Sequence, residues 1–259
     1  METAVTSILR PAYPAKGPLF GTFRQARNVR AHAGGDSTTS ARTCSSASVL
    51  DFTHAENLSS ADVERMRALY RPLTESVREL VDATIRTEAE AEVVAAAKAE
   101  IDAATARLRS RQLDGPFGVR YTSSGDRMAW GNPAIGIRNP VAPPLVVEKD
   151  ETGLARTDFY LGAAYEGPPG HVHGGIVAMV LDHVLGEVAA SDPASPRFTG
   201  TISIRYLRAT PLGQLHAEGR VARTEGVKAF AVGHVADDQG ITAEAEGVFI
   251  LPKWARERE

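Results

Sequence analysis

Cysteine is nearly absent from this chain, since Cys44 is the one cysteine among 259 residues. A lone cysteine excludes a disulfide within the chain and a metal cluster built on thiolates, and it favours a reducing, cytoplasmic location. The sequence also has no apolar run near the ~18 residues that a membrane-spanning helix requires. Its net charge is -3 and its pI is about 6.2, so the basic excess typical of nucleic-acid binding is missing too.

The first 57 residues lack the periodic apolar pattern of a helix or a strand. They contain several prolines, a Gly34-Gly35 pair and a Ser/Thr-rich run at 37–46. This composition does not support a packed core, so residues 1–57 are predicted to be a disordered extension. The segment is also rich in arginine and poor in acidic residues, which makes an organelle transit peptide the second interpretation.

Residues 58–112 form the second predicted part, a helical segment whose apolar side chains recur three and four positions apart. Ser59 and Asp62 have the spacing of a capping box, so a helix is expected to begin there. Pro72 is expected to kink or divide that helix. A second helical stretch is predicted over 88–111. We assign no chemistry to these helices and expect them to pack on the remaining domain or across an oligomer.

Residues 113–259 form the third part, in which one apolar helix lies between predicted strands. The helix is expected over about 174–190, and the last four strands are predicted to form a meander with turns between them. One long helix against an antiparallel sheet is an α+β layer architecture. The predicted strands are 145–148, 154–165, 199–208, 214–224, 227–236 and 241–251.

The most informative stretch runs from Glu166 to Asp182 and reads Glu-Gly-Pro-Pro-Gly-His-Val-His-Gly-Gly-Ile-Val-Ala-Met-Val-Leu-Asp. Its helix is expected to begin near Gly174, where free N–H groups and a partial positive charge suit an anion or a polarised carbonyl oxygen. A carboxylate on an otherwise apolar helix, as at Asp182, is costly unless it has a partner or a function. The stretch therefore predicts a site at which a carbonyl group is polarised and attacked.

The spacing within this helix predicts that the site is shared between subunits. Asp182 follows Gly174 by eight residues, which is about 12 Å along a helix, so one helix does not bring both to the same carbonyl. Two antiparallel copies of the helix would place the glycine of one beside the aspartate of the other. The small residues Gly175, Ala178, Gly186 and Ala189 are predicted to form a stripe that allows another backbone to approach closely.

This stretch resembles the signature of PaaI-type hotdog-fold acyl-CoA thioesterases, some of which also have Glu-Gly-Pro-Pro-Gly before His-Gly-Gly. The resemblance extends over about residues 144–252 and includes the segments Thr199–Arg208, Arg223–Lys228 and Ala243–Phe249. It implies a hotdog fold, in which an antiparallel sheet wraps a long central helix, with residues 58–112 as an N-terminal helical extension.

The resemblance also implies roles for particular residues. The Gly174 N–H, supported by His173 and Gly175, would polarise the thioester carbonyl. Asp182 would act as nucleophile or general base, and Thr199 would help to position the water or the substrate.

The cations near the predicted sheet are candidates for binding the phosphates of coenzyme A, because Arg and Lys are the usual phosphate partners. Arg208, Arg223 and Lys228 are taken as substrate-binding residues together with Gly175. A His-x-His turn such as that at 171–173 does not by itself define a metal site, even with Asp182 and His183 nearby. No metal or other cofactor is predicted, since coenzyme A is part of the substrate.

The predicted function is hydrolysis of an acyl-CoA to a carboxylic acid and coenzyme A. The enzyme is expected to be a homodimer or a dimer of dimers with composite sites, and no nucleic-acid or membrane partner is expected. Two alternatives stay open. One is a hotdog hydratase or dehydratase acting on an enoyl thioester, and the other is a non-catalytic acyl-CoA-binding module that uses its helical part to bind a partner. Thioester hydrolysis, hydration, and binding without turnover distinguish the three.

Overall fold

The computed structural model of this chain describes residues 58–122, 125, 127–143, 145–190 and 196–256. The helices are α1 (Ser60–Arg86), α2 (Ala91–Arg109), α3 (Gly174–Ala189) and a short α4 (Lys253–Arg256). The strands are β1 (Arg120–Tyr121), β2 (Arg127–Met128), β3 (Glu148–Lys149), β4 (Ala155–Leu161), β5 (Phe198–Tyr206), β6 (Gly213–Glu225), β7 (Lys228–Asp237) and β8 (Gly240–Ile250). The predicted extension at 1–57 lies outside the described residues, and the boundary near residue 112 stays a prediction.

Six strands form one antiparallel sheet in the order β3-β4-β6-β7-β8-β5, and α3 packs on that sheet. The α+β prediction is confirmed. The prediction of a four-strand meander is wrong, because β5 pairs with β8 and not with β6. β5 therefore lies at the edge of the sheet, with most of its residues exposed.

The core lies between α3 and the sheet. Apolar residues of α3 recur on the face toward the sheet and are almost completely buried: Val177, Val180, Leu181, Val184, Leu185 and Val188. Burying a side chain of this kind contributes about 1.5–3 kcal/mol. Gly233 on β7 makes the close packing possible, since a Cβ there would lie 2.9 Å from Leu185 Cδ2 and 2.3 Å from the Glu218 carbonyl oxygen.

The predicted stripe of small residues on α3 is wrong as a single exposed face. Ala189 is buried in the core of its own chain, and a Cβ at Gly186 would meet the Phe249 ring at 3.6 Å. Gly175 is exposed and Ala178 is half-buried. Gly186 is half-buried as well, so Ala189 is the member of the stripe that is withdrawn from the surface.

The helical segment begins as the capping signal predicts. The Ser59 side chain accepts a hydrogen bond from the Asp62 N–H, and the Asp62 carboxylate accepts one from the Ser59 N–H in return. Of the two effects predicted for Pro72, division of the helix is wrong, because α1 runs without a break from Ser60 to Arg86, and a kink stays a prediction. Val63 of α1 forms a second, smaller core with Met128 and Trp130. Within the part of the chain that the structure describes, no helix is both long and apolar enough to cross a bilayer.

Candidate active site

The turn before α3 is held by its glycines and by one carboxylate. Gly170 has φ +73°, a conformation that side chains disfavour, and its N–H donates to Glu166 Oε1 at 2.6 Å. Gly167 packs against the next turn so closely that a Cβ there would lie 2.8 Å from the His173 Cα. The Glu-Gly-Pro-Pro-Gly sequence thus fixes where the chain enters α3.

His173 is the N-cap of α3 and makes its hydrogen bond through the side chain. Its Nδ1 accepts from the Gly175 N–H at 3.0 Å, so in the neutral ring the proton is on Nε2. The N–H groups of Ile176 and Val177 donate to the His173 carbonyl oxygen. Three of the first four N–H groups of α3 are therefore occupied.

The Gly174 N–H is the fourth, and it has no acceptor among the described residues. The Gly174 carbonyl oxygen, in contrast, accepts a hydrogen bond of 2.8 Å from the Tyr206 hydroxyl. Tyr206 lies at the end of β5 and holds the peptide at the start of α3 in place. The first residue of α3 thus presents one free donor in the positive field of the helix N-terminus.

Asp182 lies in the middle of α3, where its side chain is paired with Thr199. The Thr199 hydroxyl donates to Asp182 Oδ1 at 2.8 Å. Asp182 is half-buried and Thr199 is exposed, so the pair lies at the surface of the single chain. The structure therefore brings together two of the predicted site residues that are seventeen positions apart.

A β-bulge explains why both ends of β5 face α3. Thr199 pairs with Phe249 and Thr201 with Val248, so Gly200 is an extra residue in β5. In a regular strand, Thr199 and Tyr206 would point to opposite faces, because they are seven residues apart. The bulge shifts the alternation by one residue, and both side chains reach the helix.

Gly174 and Asp182 remain apart within one chain. They are eight residues apart on one straight helix, or about 12 Å, and each has its own partner at one end of β5. A single chain therefore contains two predicted half-sites, a carbonyl-binding half at Gly174 and a carboxylate half at Asp182.

His183 and Glu187 belong to a different cluster, although they are close to Asp182 in sequence. Glu187 pairs with Arg127 at 3.1 Å, and His183 Nε2 lies 3.8 Å from the Glu187 carboxylate. Burial lowers the pKa of His183, against the effect of the Glu187 carboxylate, so the ring is neutral near pH 7. Asp182 acts on His183 through its charge, and no hydrogen bond or ion pair between described residues joins the two.

The three cations predicted to bind substrate do not form one cluster within the chain. Arg208 binds Asp237, the last residue of β7, with Nη1–Oδ2 at 2.7 Å, and this hydrogen bonding holds the pKa of Asp237 at about 2. Arg223 stacks over the Phe230 ring at 3.7 Å. Arg223 and Lys228 lie at the β6–β7 hairpin, at the opposite end of the sheet from Arg208. Their role in binding substrate stays a prediction.

Within the described ranges, no group of three His, Cys, Asp or Glu side chains has an arrangement that would hold a metal ion. Tyr206 is the site residue that the sequence reasoning missed. It lies in the segment Thr199–Arg208 that carried the resemblance, but no local signal connects it to Gly174.

Comparison with known proteins identifies relatives over the site region. The sequence model of the thioesterase superfamily matches residues 169–244, which include both half-sites. The acyl-coenzyme A thioesterase THEM5 of Homo sapiens is 30% identical over 95 residues, covering 36% of this chain and 38% of that protein. The acyl-coenzyme A thioesterase THEM4 of Xenopus laevis is 32% identical over 95 residues, covering 36% and 42%. The chain thus spans about two fifths of the length of these curated relatives.

A solved crystal structure matches over a larger share. Protein RHA08564, described as a thioesterase superfamily protein, is 32% identical to this chain, with a TM-score of 0.62. The match covers 70% of this chain and 94% of that structure. The likeness therefore reaches well beyond the residues of the site.

Proposed function

We propose that this chain, which belongs to the thioesterase superfamily and has the predicted hotdog fold, hydrolyses an acyl-CoA thioester to a free carboxylic acid and coenzyme A. The names of THEM5 and THEM4 support a coenzyme A thioester as the substrate class. The observation that carries the proposal is the free Gly174 N–H at the start of α3, on the same helix as the paired Asp182.

The carbonyl-binding half would polarise the thioester. A carbonyl oxygen that accepts from the Gly174 N–H lies in the field of the α3 N-terminus, where negative charge that develops during attack is stabilised. The neighbouring N–H groups are occupied, so Gly174 is the single backbone donor available at this end. Tyr206 would act as a positioning residue, because its hydroxyl holds the Gly174 carbonyl.

The carboxylate half would supply the attack. Asp182 would either attack the carbonyl carbon directly, giving an anhydride that water then hydrolyses, or accept a proton from a water molecule that attacks. In both routes the Thr199 hydroxyl orients the carboxylate through its hydrogen bond to Oδ1. The thiolate of coenzyme A is the leaving group, and it is protonated on release.

The two halves would come from different subunits. A separation of about 12 Å along one helix prevents Gly174 and Asp182 of the same chain from contacting one carbonyl group. A second copy with its α3 antiparallel would bring its Asp182 to this Gly174, and a two-fold axis would make two equal sites. The proposed active form is therefore a homodimer or a dimer of dimers.

The test is an assay of thiol release with a panel of acyl-CoA thioesters of short, long and aromatic acyl groups. We expect saturable release of free coenzyme A from at least one member, with the matching carboxylic acid as product. An enoyl-CoA is included, and hydration of its double bond without thiol release would contradict the proposal. Tight binding of acyl-CoA without any turnover would contradict it as well.

The Thr199 hydroxyl provides a narrower test of the carboxylate half. Thr199→Val keeps the shape of the side chain but loses the bond to Asp182, so we expect kcat to fall about 5- to 30-fold, the equivalent of about 1–2 kcal/mol. Thr199→Ser keeps the hydroxyl and is expected to stay within about threefold of the parent. Steady-state kinetics on the best acyl-CoA gives the comparison. Equal rates for the two variants would show that the Thr199 hydroxyl does not contribute to the reaction.

A further inference from the structure

Helix α2 presents an apolar stripe that none of the residues described by the structure covers. Val94, Ile101 and Leu108 recur at intervals of seven residues and are 48%, 37% and 54% exposed, and α2 has no buried residue. Ala97 and Ala104 lie between them on the same side of the helix. This spacing is that of a helix which packs along a second helix.

Among the described residues, few contacts stabilise α2 beyond its own backbone hydrogen bonds. One ion pair, between Lys98 and Asp102, lies along its surface at 2.5 Å, and an exposed pair of this kind adds only about 0.3–0.5 kcal/mol. Helices in proteins owe most of their stability to packing of an apolar face. A partner that covers the apolar stripe would therefore stabilise α2.

The charges of α2 indicate what that partner is. Glu88, Glu90 and Glu92 lie at its start, whereas Arg107, Arg109 and Arg111 lie at its end. A second copy of α2 in antiparallel orientation would set the acidic start of each helix beside the basic end of the other. A parallel copy would instead set like charges together, which is unfavourable.

The side-chain sizes agree with the same orientation. Large residues alternate with alanines along the stripe, so an antiparallel copy can place Val94 and Ile101 against Ala104 and Ala97 of its partner. Alternation of large and small residues across facing positions allows two helices to interdigitate closely. We propose that α2 is a self-association surface, on which α2 of a second copy of this chain packs in antiparallel orientation.

The proposal is tested by disulfide trapping in the full chain with Cys44 changed to Ser, which leaves no native thiol. Val94→Cys and Ala104→Cys are made separately, because these two positions face each other in the proposed antiparallel arrangement and neither faces itself. Under mild oxidation, a mixture of the two variants is expected to give a disulfide-linked dimer at least tenfold faster than either variant alone. Self-linking by each variant alone, without faster linking in the mixture, would overturn the antiparallel arrangement.

A charge placed in the stripe shows whether the disulfide forms through a specific contact between two α2 helices or through chance collisions. Ile101→Glu is added to both cysteine variants, with Ala99→Glu as the matched control, since residue 99 lies on the opposite side of α2. The stripe variant is expected to lower the rate of mixed linking at least tenfold, while the control leaves it unchanged. Equal rates for the two glutamate variants would overturn the proposal. Thiol release from acyl-CoA is measured separately, because the pairing of α2 does not depend on the proposed reaction.

Discussion

Asp182→Asn is expected to lower kcat on the best acyl-CoA by at least about 10²-fold while the protein stays folded. The amide keeps the size of the carboxylate and still accepts the hydrogen bond from Thr199, but it neither attacks a carbonyl nor takes up a proton. A positioned acid–base group contributes about 10²–10⁴-fold to a rate, so the lower bound follows from that range. Steady-state thiol release, with the melting temperature of the same preparation, gives the measurement.

Asp114→Asn is the matched control, because Asp114 is exposed and the substitution is chemically the same. It is expected to leave kcat within a factor of about two. If Asp182→Asn turned over acyl-CoA at a near-normal rate in a preparation free of the parent enzyme, Asp182 would be neither nucleophile nor base.

Gly174→Pro is expected to cost about 10²–10³-fold in kcat, which is the usual effect of losing one donor to a developing oxyanion. Proline removes the free N–H but suits the first position of a helix, so α3 is expected to form. The extended backbone of His173, with φ −60° and ψ 131°, is also compatible with a following proline. The variant therefore removes the N–H donor while α3 still folds, and circular dichroism checks that the helix content is unchanged.

Gly174→Ala is the control for the donor, because it keeps the N–H and adds only a methyl group. That Cβ would lie 3.4 Å from the Tyr206 hydroxyl oxygen, an ordinary contact. We expect Gly174→Ala to stay within about tenfold of the parent. A loss as large as that of Gly174→Pro would show that space at this position, and not the N–H, limits the rate.

Mixing the two inactive variants tests whether the site is composite. A dimer of one Asp182→Asn subunit and one Gly174→Pro subunit would contain one site with an intact glycine facing an intact aspartate. Up to about half of the parent activity per mixed dimer is expected to return, in proportion to the fraction of mixed dimers. Absence of recovery, when subunit exchange is shown by mass spectrometry of labelled chains, would place the whole site within one chain.

The parts of this protein that sequence predicted well are those with local causes. The start of α1 follows from a capping box at Ser59, and the start of α3 follows from the His-Gly-Gly step after a Gly/Pro turn. Both depend on residues within a few positions of each other. The assignment of Asp182 and Thr199 to the site came from a resemblance, and the hydrogen bond between them was not predicted, because neither residue specifies the other across the intervening chain.

The parts that sequence did not predict depend on pairing between distant strands. The position of β5 beside β8 is not visible in chain order, so the predicted meander failed. Arg208 looked available for a phosphate because its partner, Asp237, is the last residue of β7 and lies 29 positions further along the chain. Pro72 is tolerated within α1 even though proline is expected to interrupt a helix, and no local rule reveals that tolerance.

The bulge at Gly200 limits where residues can be inserted or deleted in β5 without disturbing the site. Deleting that residue would restore the regular alternation of β5 and turn Thr199 away from Asp182, while Tyr206 kept its position. A side chain at 200 would place its Cβ 2.6 Å from Ile250 Cδ1, so the Ile250 side chain would have to shift. β5 is thus intolerant of insertions and deletions between the two half-sites. The partners of Thr199 and Tyr206 both lie on α3, so residues added or lost at the β6–β7 hairpin near Gly226 would leave these two contacts in place.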